Sequence, residues 1–232
     1  MQNGIQNRRK QQLAYSMFFF VPLQFDMLIR VYNDNPNVRD IRRLADRLRD
    51  GAVAVLPTDT LYAFACSMEF KHSVETIAQL KGFKVKQAKY SLLCASLSQA
   101  SEYVRPLDKD LFSLLRATLP GPYTFILEAN GNVPRNYQNA NRTIGIRVPD
   151  NAILRAVVEE LGCPLVATSV RLIDEEMEKE YLTDPELIHE LFGSRVDFVV
   201  DGGLGGDVPS TVVDCSTGEL EVLRYGKGEI DL

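Results

Sequence analysis

The stretch VAVLPTDTLY, residues 53–62, joins a strong strand pattern to a loop rich in hydroxyl groups. Its first four residues are apolar and lie between Gly51 and Pro57, which is typical of a buried central strand. Hydroxyl groups at the end of such a strand are of the kind that orients a polar ligand over a sheet. The alternative is that Thr58 and Asp59 only satisfy the backbone groups of a turn. The stretch therefore predicts a central strand followed by either a ligand loop or a plain turn.

Strand and helix patterns alternate along most of the chain, and a hairpin pattern ends it. Apolar runs bounded by turn residues predict strands at 28–32, 53–56, 91–94, 123–127, 143–148, 164–168, 198–200, 211–214 and 221–223. Helical spacing of apolar residues predicts one helix from Pro36 to Gly51, one capped by Asp150 and ended by Gly162, and others at 74–80, 98–104, 108–119 and 185–192. This order predicts a single-domain α/β (α+β) fold, a twisted mixed β-sheet with flanking helices.

Residues 1–26 differ in character from the rest of the chain. The basic cluster Arg8-Arg9-Lys10 precedes the apolar run 17–21, as in the basic and apolar parts of a signal peptide. Pro22 interrupts the run, which is too short to span a bilayer and has no small-x-small cleavage site after it. We interpret residues 1–26 as a non-essential extension and place the working domain at residues 27–232. Secretion is the alternative.

Composition limits the classes of function. A formal net charge of −5 argues against general nucleic-acid binding, so an anion site must be a local concentration of Lys and Arg. The 4 cysteines form no CxxC pair and the chain has only 2 histidines, so neither a zinc site nor a Ser-His-Asp or Cys-His mechanism is expected. Scattered cysteines are typical of reduced thiols. We expect a cytoplasmic protein without a membrane segment, either a monomer or a weak dimer.

Polar or cationic side chains stand at the ends of several predicted strands. Arg147 is the most informative, because it interrupts an apolar strand, where a guanidinium is costly unless it meets a carboxylate or a phosphate. The alternative is an internal salt bridge, for example to Asp150 or Asp214. The other strand ends carry Thr58 and Thr60, then Thr168, Ser169 and Arg171, then Ser210 and Thr211, and finally Arg224. The glycine-rich segment 201–207 lacks the strand-GxGxxG-helix context of a dinucleotide site and is interpreted as a flexible loop.

A basic run at residues 81–89 contains four lysines, Lys81, Lys84, Lys86 and Lys89. Lysines in a loop that follows a helix suit a triphosphate or an RNA backbone, which they bind as mobile point charges. A solvated loop is the alternative. No segment pairs a nucleophile with a base, so we assign no catalytic residue. An enzyme with this sequence would act by positioning its substrates and neutralising their charge.

Six segments resemble, in order, the motifs of the YrdC/YciO family, the threonylcarbamoyl-AMP synthase group. The matching segments are PTDTLY at 57–62, Lys81 at the start of a KxR element, PGPYT at 120–124, GIRVP at 145–149, STVVD at 210–214 and LRYG at 223–226. One such motif would be weak support for membership, whereas six in order at sensible spacing are specific.

The resemblance implies a mixed α/β fold with a deep, positively lined concave pocket. It also implies that ATP with Mg²⁺, L-threonine and bicarbonate give threonylcarbamoyl-AMP and pyrophosphate, for modification of adenosine 37 in tRNA. By their place in the motifs, the residues that would hold threonine are Thr60, Arg147, Ser169 and Ser210, with Arg147 on the carboxylate. Those that would face the nucleotide and its phosphates are Lys81, Lys84, Thr143, Arg171 and Arg224. No residue is assigned to a metal.

Four departures from the family pattern resemble the YciO branch. Cys94 stands where the family has a histidine after the basic loop. Phe83 replaces the arginine of the KxR element, and Arg171 stands where an asparagine would follow Ser169. Ala63-Phe64-Ala65 replaces a glycine-rich continuation.

These departures keep a second function open, that of a non-catalytic protein of the same fold that binds tRNA or double-stranded RNA. Its contacts would be Lys84, Lys86 and Lys89. A nucleotide-binding enzyme with a different acceptor is a third possibility.

Overall fold

The computed structural model of the chain describes residues 27–82, 89–139, 141–170 and 178–230. Its strands are β1 (Leu28–Arg30), β2 (Val53–Leu56), β3 (Ala63–Ser67), β4 (Ser91–Leu93), β5 (Tyr123–Glu128), β6 (Thr143–Arg147), β7 (Leu165–Ser169), β8 (Phe198–Asp201), β9 (Thr211–Asp214) and β10 (Glu221–Arg224). Its α-helices are α1 (Val38–Arg49), α2 (Lys71–Leu80), α3 (Leu97–Ser101), α4 (Lys109–Thr118), α5 (Ala152–Leu161), α6 (Glu180–Thr183) and α7 (Pro185–Phe192). The predicted extension over residues 1–26 lies outside the described part of the chain.

All the described strands belong to one mixed sheet, in the order β1-β8-β2-β3-β7-β4-β6-β5-β9-β10. Four neighbouring pairs are parallel, β1 with β8, β2 with β8, β4 with β6 and β5 with β9. The other neighbours are antiparallel, including the predicted hairpin of β9 and β10. The predicted mixed sheet with flanking helices is therefore confirmed.

The sheet is buried on both faces, because side chains of each central strand alternate between two apolar cores. In β2, Val53 and Val55 belong to one core, whereas Ala54 and Leu56 belong to the other. The first core includes apolar side chains of α2, α4 and α7, and the second includes those of α1 and α5. This explains why β2 is apolar at all four positions instead of alternating with polar residues.

Three details differ from the sequence prediction. Strand β3 was not predicted, and it pairs antiparallel with β2, so residues 57–62 form the loop between two paired strands. The residue that caps α5 is Asn151 rather than Asp150, because the Asn151 side chain accepts a hydrogen bond from the backbone N–H of Leu154. Pro36 precedes the N-cap residue of α1 instead of starting the helix.

No helix in the described ranges is long and apolar enough to cross a membrane. The same residues contain no group of three or more His, Cys, Asp or Glu side chains placed to hold a metal ion.

Candidate functional site

Most of the predicted strand-end residues meet at one open cavity of about 870 Å³, a volume that includes its mouth. Its walls come from the β2–β3 loop, from strands β3 to β7, and from β9 and β10. The residues predicted for substrate or RNA that line it are Thr60, Lys89, Arg147, Ser169, Ser210 and Arg224. Three of the described lining residues are cationic and none is Asp or Glu, so the cavity has the charge of an anion site.

Arg147 lies at the end of β6 and forms an ion pair with Asp59 from the β2–β3 loop. Its Nη2 donates to Asp59 Oδ1 and to Thr60 Oγ1, each at 2.9 Å. The predicted alternative of an internal salt bridge is confirmed, but its partner is neither of the suggested Asp150 and Asp214. The Asp150 side chain is 76% exposed and only its backbone N–H reaches Asp59, at Oδ2. Asp214 Oδ1 instead accepts from the Ser216 hydroxyl. The salt bridge and the cavity lining are thus properties of the same arginine.

Burial changes the acid–base behaviour of this arginine. Loss of solvent lowers the pKa of the Arg147 guanidinium below its ordinary value, and the charge of Arg224 lowers it further, while Asp59 raises it. An arginine stays protonated in proteins despite such shifts. The charges of Arg147 and Arg224 therefore repel each other, and an anion between the two arginines would relieve this repulsion.

The hydroxyl loop, residues 57–62 between β2 and β3, contains both a turn residue and a residue of the cavity wall. Thr58 Oγ1 donates to the carbonyl of Leu61 at 2.6 Å and accepts from the backbone N–H of Thr60 at 3.0 Å, so Thr58 is turn chemistry. Thr60 instead lines the cavity and accepts from Arg147. The turn of Thr58 holds Thr60 in place, which makes the loop both a turn and a wall of the site.

A second group of polar side chains lies around Ser210. Its hydroxyl shares a hydrogen bond of 2.8 Å with Thr124 Oγ1, at the start of β5. Arg224 Nη2 donates to the carbonyl and the hydroxyl of Ser210, at 2.8 and 3.2 Å, and Nε donates to the same carbonyl. Sequence reasoning missed Thr124 as a site residue, although it ends the PGPYT segment that carried part of the family resemblance.

Glycine at position 145, in the middle of β6, keeps the floor of the cavity open. A Cβ at this residue would lie 2.7 Å from Ser91 Oγ and 3.1 Å from Thr124 Cγ2. Both neighbours line the cavity from the strands on either side, β4 and β5. The missing side chain lets these two strands bring their hydroxyl groups close together.

Two other residues predicted to bind the nucleotide contact residues of the cavity wall without lining the cavity themselves. Lys81 Nζ donates to the backbone carbonyl of Ser169, and Thr143 Oγ1 accepts from Asn139 Nδ2. Neither Lys81 nor Thr143 lines the cavity, whereas their partners Ser169 and Asn139 do. The predicted contacts Lys84, Lys86 and Arg171, and the departure Phe83, lie outside the described residues.

The glycine-rich segment 201–207 is packed against the hydroxyl loop, so its interpretation as a plain flexible loop is wrong. The buried Tyr62 hydroxyl accepts from the N–H of Gly202 and donates to the carbonyl of Gly203. A Cβ at Gly205 would come within 2.8 Å of the Tyr62 ring, which only glycine avoids. Burial raises the pKa of Tyr62, so this tyrosine is a structural anchor and no acid at neutral pH.

The amino-acid pattern of the Sua5/YciO/YrdC family, whose description is "Telomere recombination", matches residues 46–226. The chain belongs to this family. YciO of Escherichia coli K12 is 36% identical over 201 residues, which are 86% of this chain and 95% of YciO. The crystal structure of E. coli YciO superposes with a TM-score of 0.81 over 88% of this chain and 98% of that one. The resemblance inferred from the six motifs is confirmed.

Relatives with a named activity or a bound ligand match with lower identity. The threonylcarbamoyl-AMP synthase of Nitrosococcus oceani is 31% identical over 185 residues, which are 79% of this chain and 97% of the synthase. The crystal structure of P. abyssi Sua5 complexed with L-threonine has a TM-score of 0.77 and 25% identity, over 86% of this chain and 57% of the Sua5 chain. The higher identity to YciO agrees with the YciO-like departures in the sequence.

Proposed function

We propose that this protein is a threonylcarbamoyl-AMP-synthase-like enzyme that acts on ATP, L-threonine and bicarbonate. The observation that carries the proposal is a single cavity lined by Lys89, Arg147 and Arg224, with hydroxyl groups beside both arginines and no lining carboxylate among the described residues. The named activity of the N. oceani relative and the threonine in the Sua5 complex support the same substrates. As the resemblance implies, the product would serve modification of adenosine 37 in tRNA.

The amino acid would bind at the Arg147 end of the cavity. A carboxylate matches a guanidinium in charge and geometry, and charge-assisted hydrogen bonds are roughly twice as strong as neutral ones. Thr60 and Ser169 line the same cavity and offer hydroxyl groups to the hydroxyl and amine of threonine. Ser210, which directly precedes β9, would complete this set, as predicted from the motifs.

The nucleotide would place its phosphates between Arg224 and Lys89. Both are cationic and both line the cavity, so they suit the negative charge of a triphosphate. Lys81 and Thr143 would act through the cavity residues that they contact. Lys84 and Arg171 remain predictions for this end of the site. Because no described lining residue is a carboxylate, Mg²⁺ would enter bound to the triphosphate, as is common for this ion.

The chemistry needs no protein nucleophile. The neutral amine of threonine attacks the carbon of bicarbonate, water leaves, and a carbamate forms. A carbamate oxygen then attacks the α-phosphorus of ATP, and the bond from this phosphorus to the pyrophosphate oxygen breaks. Each step brings anions together, so the contribution of the chain is to position them and to neutralise their charge with fixed cations.

The test is an assay with purified protein, ATP, Mg²⁺, L-threonine and bicarbonate, read by pyrophosphate release and by mass spectrometry of the nucleotide product. We expect a product that depends on all three substrates. Arg147→Ala should lower kcat/KM for threonine by about 100-fold, since it removes a pair of charge-assisted hydrogen bonds. Arg155→Ala is the matched control, because Arg155 lies nearby on α5 and its partner is the exposed Asp150.

Two results would contradict the proposal. One is pyrophosphate release no greater than in a protein-free blank. The other is an Arg147→Ala variant as active as Arg155→Ala, which would remove the carboxylate role from Arg147.

The RNA-binding hypothesis has less geometric support. Of its three lysines, Lys89 lines the cavity, while Lys84 and Lys86 lie outside the described residues. The formal net charge of −5 also opposes avid binding to RNA. Its separate test is tRNA binding at two salt concentrations, because binding through phosphates weakens steeply as salt rises. Salt-sensitive binding in a protein that releases no pyrophosphate would favour this second function.

A further inference from the structure

Asp59 connects three segments around the cavity without lining it. Its carboxylate accepts from Arg147 Nη2 at 2.9 Å and from the backbone N–H of Asp150 at 3.2 Å. Its backbone carbonyl accepts from Lys227 Nζ at 2.7 Å. The Asp59 side chain is 8% exposed and that of Arg147 is 11% exposed, so their ion pair is largely removed from water. Asp59 therefore touches the β6 end and the chain beyond β10, but no described cavity wall includes it.

This ion pair leaves part of the guanidinium without a partner. Nη2 carries both of the hydrogen bonds described above, whereas Nε is buried and has no hydrogen-bond partner. A buried donor without a partner is uncommon and costs free energy, so the guanidinium is not fully satisfied by its hydrogen bonds to the protein. Asp59 and Thr60 hold the Nη2 edge of the Arg147 fork at the wall of the cavity.

We propose that Asp59 is a positioning residue for carboxylate recognition, which holds Arg147 in the orientation that receives the carboxylate of the amino acid. The inference rests on the proposed function, because it takes an amino acid as the ligand of Arg147. A side chain fixed in this way loses little conformational entropy when the ligand binds. Asp59 also compensates the charge of Arg147 in the ligand-free protein, which makes burial of the cation tolerable.

Two roles of Asp59 have to be separated by experiment. A positioning residue acts through Arg147, so its removal should matter only when Arg147 is intact. A purely structural carboxylate would tie the loop to the backbone of Asp150, and its removal should weaken every ligand whatever stands at position 147. A double-mutant cycle distinguishes these cases.

The experiment is calorimetric titration of L-threonine into the full-length protein with ATP and Mg²⁺ present and bicarbonate excluded. The proteins are the wild type, Asp59→Ala, Arg147→Lys and the double variant. Arg147→Lys keeps a cation for measurable binding but removes the fork. We expect Asp59→Ala to weaken threonine binding about tenfold in the wild type and less than about threefold in the Arg147→Lys background. ATP affinity should change by less than about twofold in all four, since Arg224 and Lys89 are intact.

Asp59→Asn covers the case in which Asp59→Ala fails to fold. The amide oxygen still accepts from Arg147, but the charge is lost, so threonine binding should lie between the wild type and the alanine variant. Asp197→Asn is the matched control, because Asp197 Oδ2 accepts from the backbone N–H of Val53 at the opposite end of β2. This control should leave threonine affinity within about twofold of the wild type.

Additive losses in the cycle, or an equal loss of threonine and ATP affinity, would overturn the positioning role and leave the proposed function intact. A wild-type protein that binds ATP but no threonine would instead overturn the proposed function, and the positioning role with it.

Discussion

The two arginines of the cavity are held in different ways. Arg147 is 11% exposed and pairs with the carboxylate of Asp59, whereas Arg224 lies on an exposed part of β10 and donates to the carbonyl and hydroxyl of Ser210. A buried cation needs a fixed counter-charge, and this requirement also fixes its orientation. A cation closer to water keeps more freedom to adapt.

This difference indicates a division of labour along the cavity. The Arg147 end is rigid and suits a small planar carboxylate, for which orientation matters. The Arg224 end is more adaptable and suits phosphates, which accept donors over a wide range of directions. This division can be tested by changing one end of the cavity, the floor between the two ends, or an ion pair outside the cavity.

The largest expected effect in this set is at the Arg224 end. Arg224→Ala should raise the KM for ATP about tenfold, because a charge-assisted hydrogen bond contributes roughly 1.5–3 kcal/mol. The KM for threonine should stay within about twofold, since Arg147 is intact. Steady-state kinetics with each substrate varied in turn measures both, with the surface variant Arg116→Ala on α4 as the control. Equal increases in both KM values would show that the two ends are not separate.

The floor between the two ends is tested by Gly145→Ala. The new Cβ would lie 2.7 Å from Ser91 Oγ, so we expect a loss of about 1 kcal/mol in the free energy of unfolding and weaker binding of both substrates. Urea denaturation and calorimetry measure the two effects. Adding Ser91→Ala should restore part of the stability, because it removes the atom that the Cβ meets. Failure of this second change to help would assign the strain to the other two close atoms, Thr124 Cγ2 and the Tyr90 carbonyl oxygen.

The smallest effect is expected for the exposed pair of Lys179 and Asp207, whose Nζ and Oδ2 lie 2.6 Å apart. The hydrogen bond from Lys179 lowers the pKa of Asp207, and the same bond raises the pKa of Lys179. Stability from a lowered Asp pKa is present above its unfolded value of about 3.9 and is lost as pH falls through the folded value. Stability from a raised Lys pKa is present below about 10.4 and is lost as pH rises through the folded value.

Asp207→Asn should therefore lower the melting temperature slightly at pH 7 and not at all near pH 2. Scanning calorimetry at the two pH values measures this, and substrate KM values should not change. A change in the KM for threonine would mean that the glycine-rich segment transmits effects from this pair to the Arg147 end.

Local sequence signals predicted most of the sheet, since strands such as β2 and β9 are apolar runs between turn residues. Strand β3 was not predicted because no glycine or proline separates its five residues, AFACS, from Leu61 and Tyr62 at the end of the loop. The ion pair of Arg147 with Asp59 was not predicted for a different reason. Asp150 is three residues away along the chain, but its carboxylate is exposed and faces Arg155. Asp59 instead comes from the loop between β2 and β3, and strands β7 and β4 lie between β3 and β6 in the sheet order.

The sequence predicted site residues best at positions where burying that type of side chain costs free energy. Arg147 in an apolar strand was such a signal, and it lines the cavity as expected of a site residue. Thr124 and Asn139 gave no comparable signal, because a threonine in a strand and an asparagine in a loop are ordinary. Their place at the cavity depends on strand order, which the sequence pattern alone does not determine.

The most direct measurement of the central claim is the melting temperature with ATP and Mg²⁺, with L-threonine, and with both. We expect each ligand to stabilise the wild type, and the two together to stabilise it more than either alone. Arg147→Ala should lose the threonine response and keep the ATP response, whereas Arg224→Ala should keep the threonine response and show a smaller ATP response. No shift with either ligand in the wild type, or the same loss of both responses in each variant, would contradict the claim.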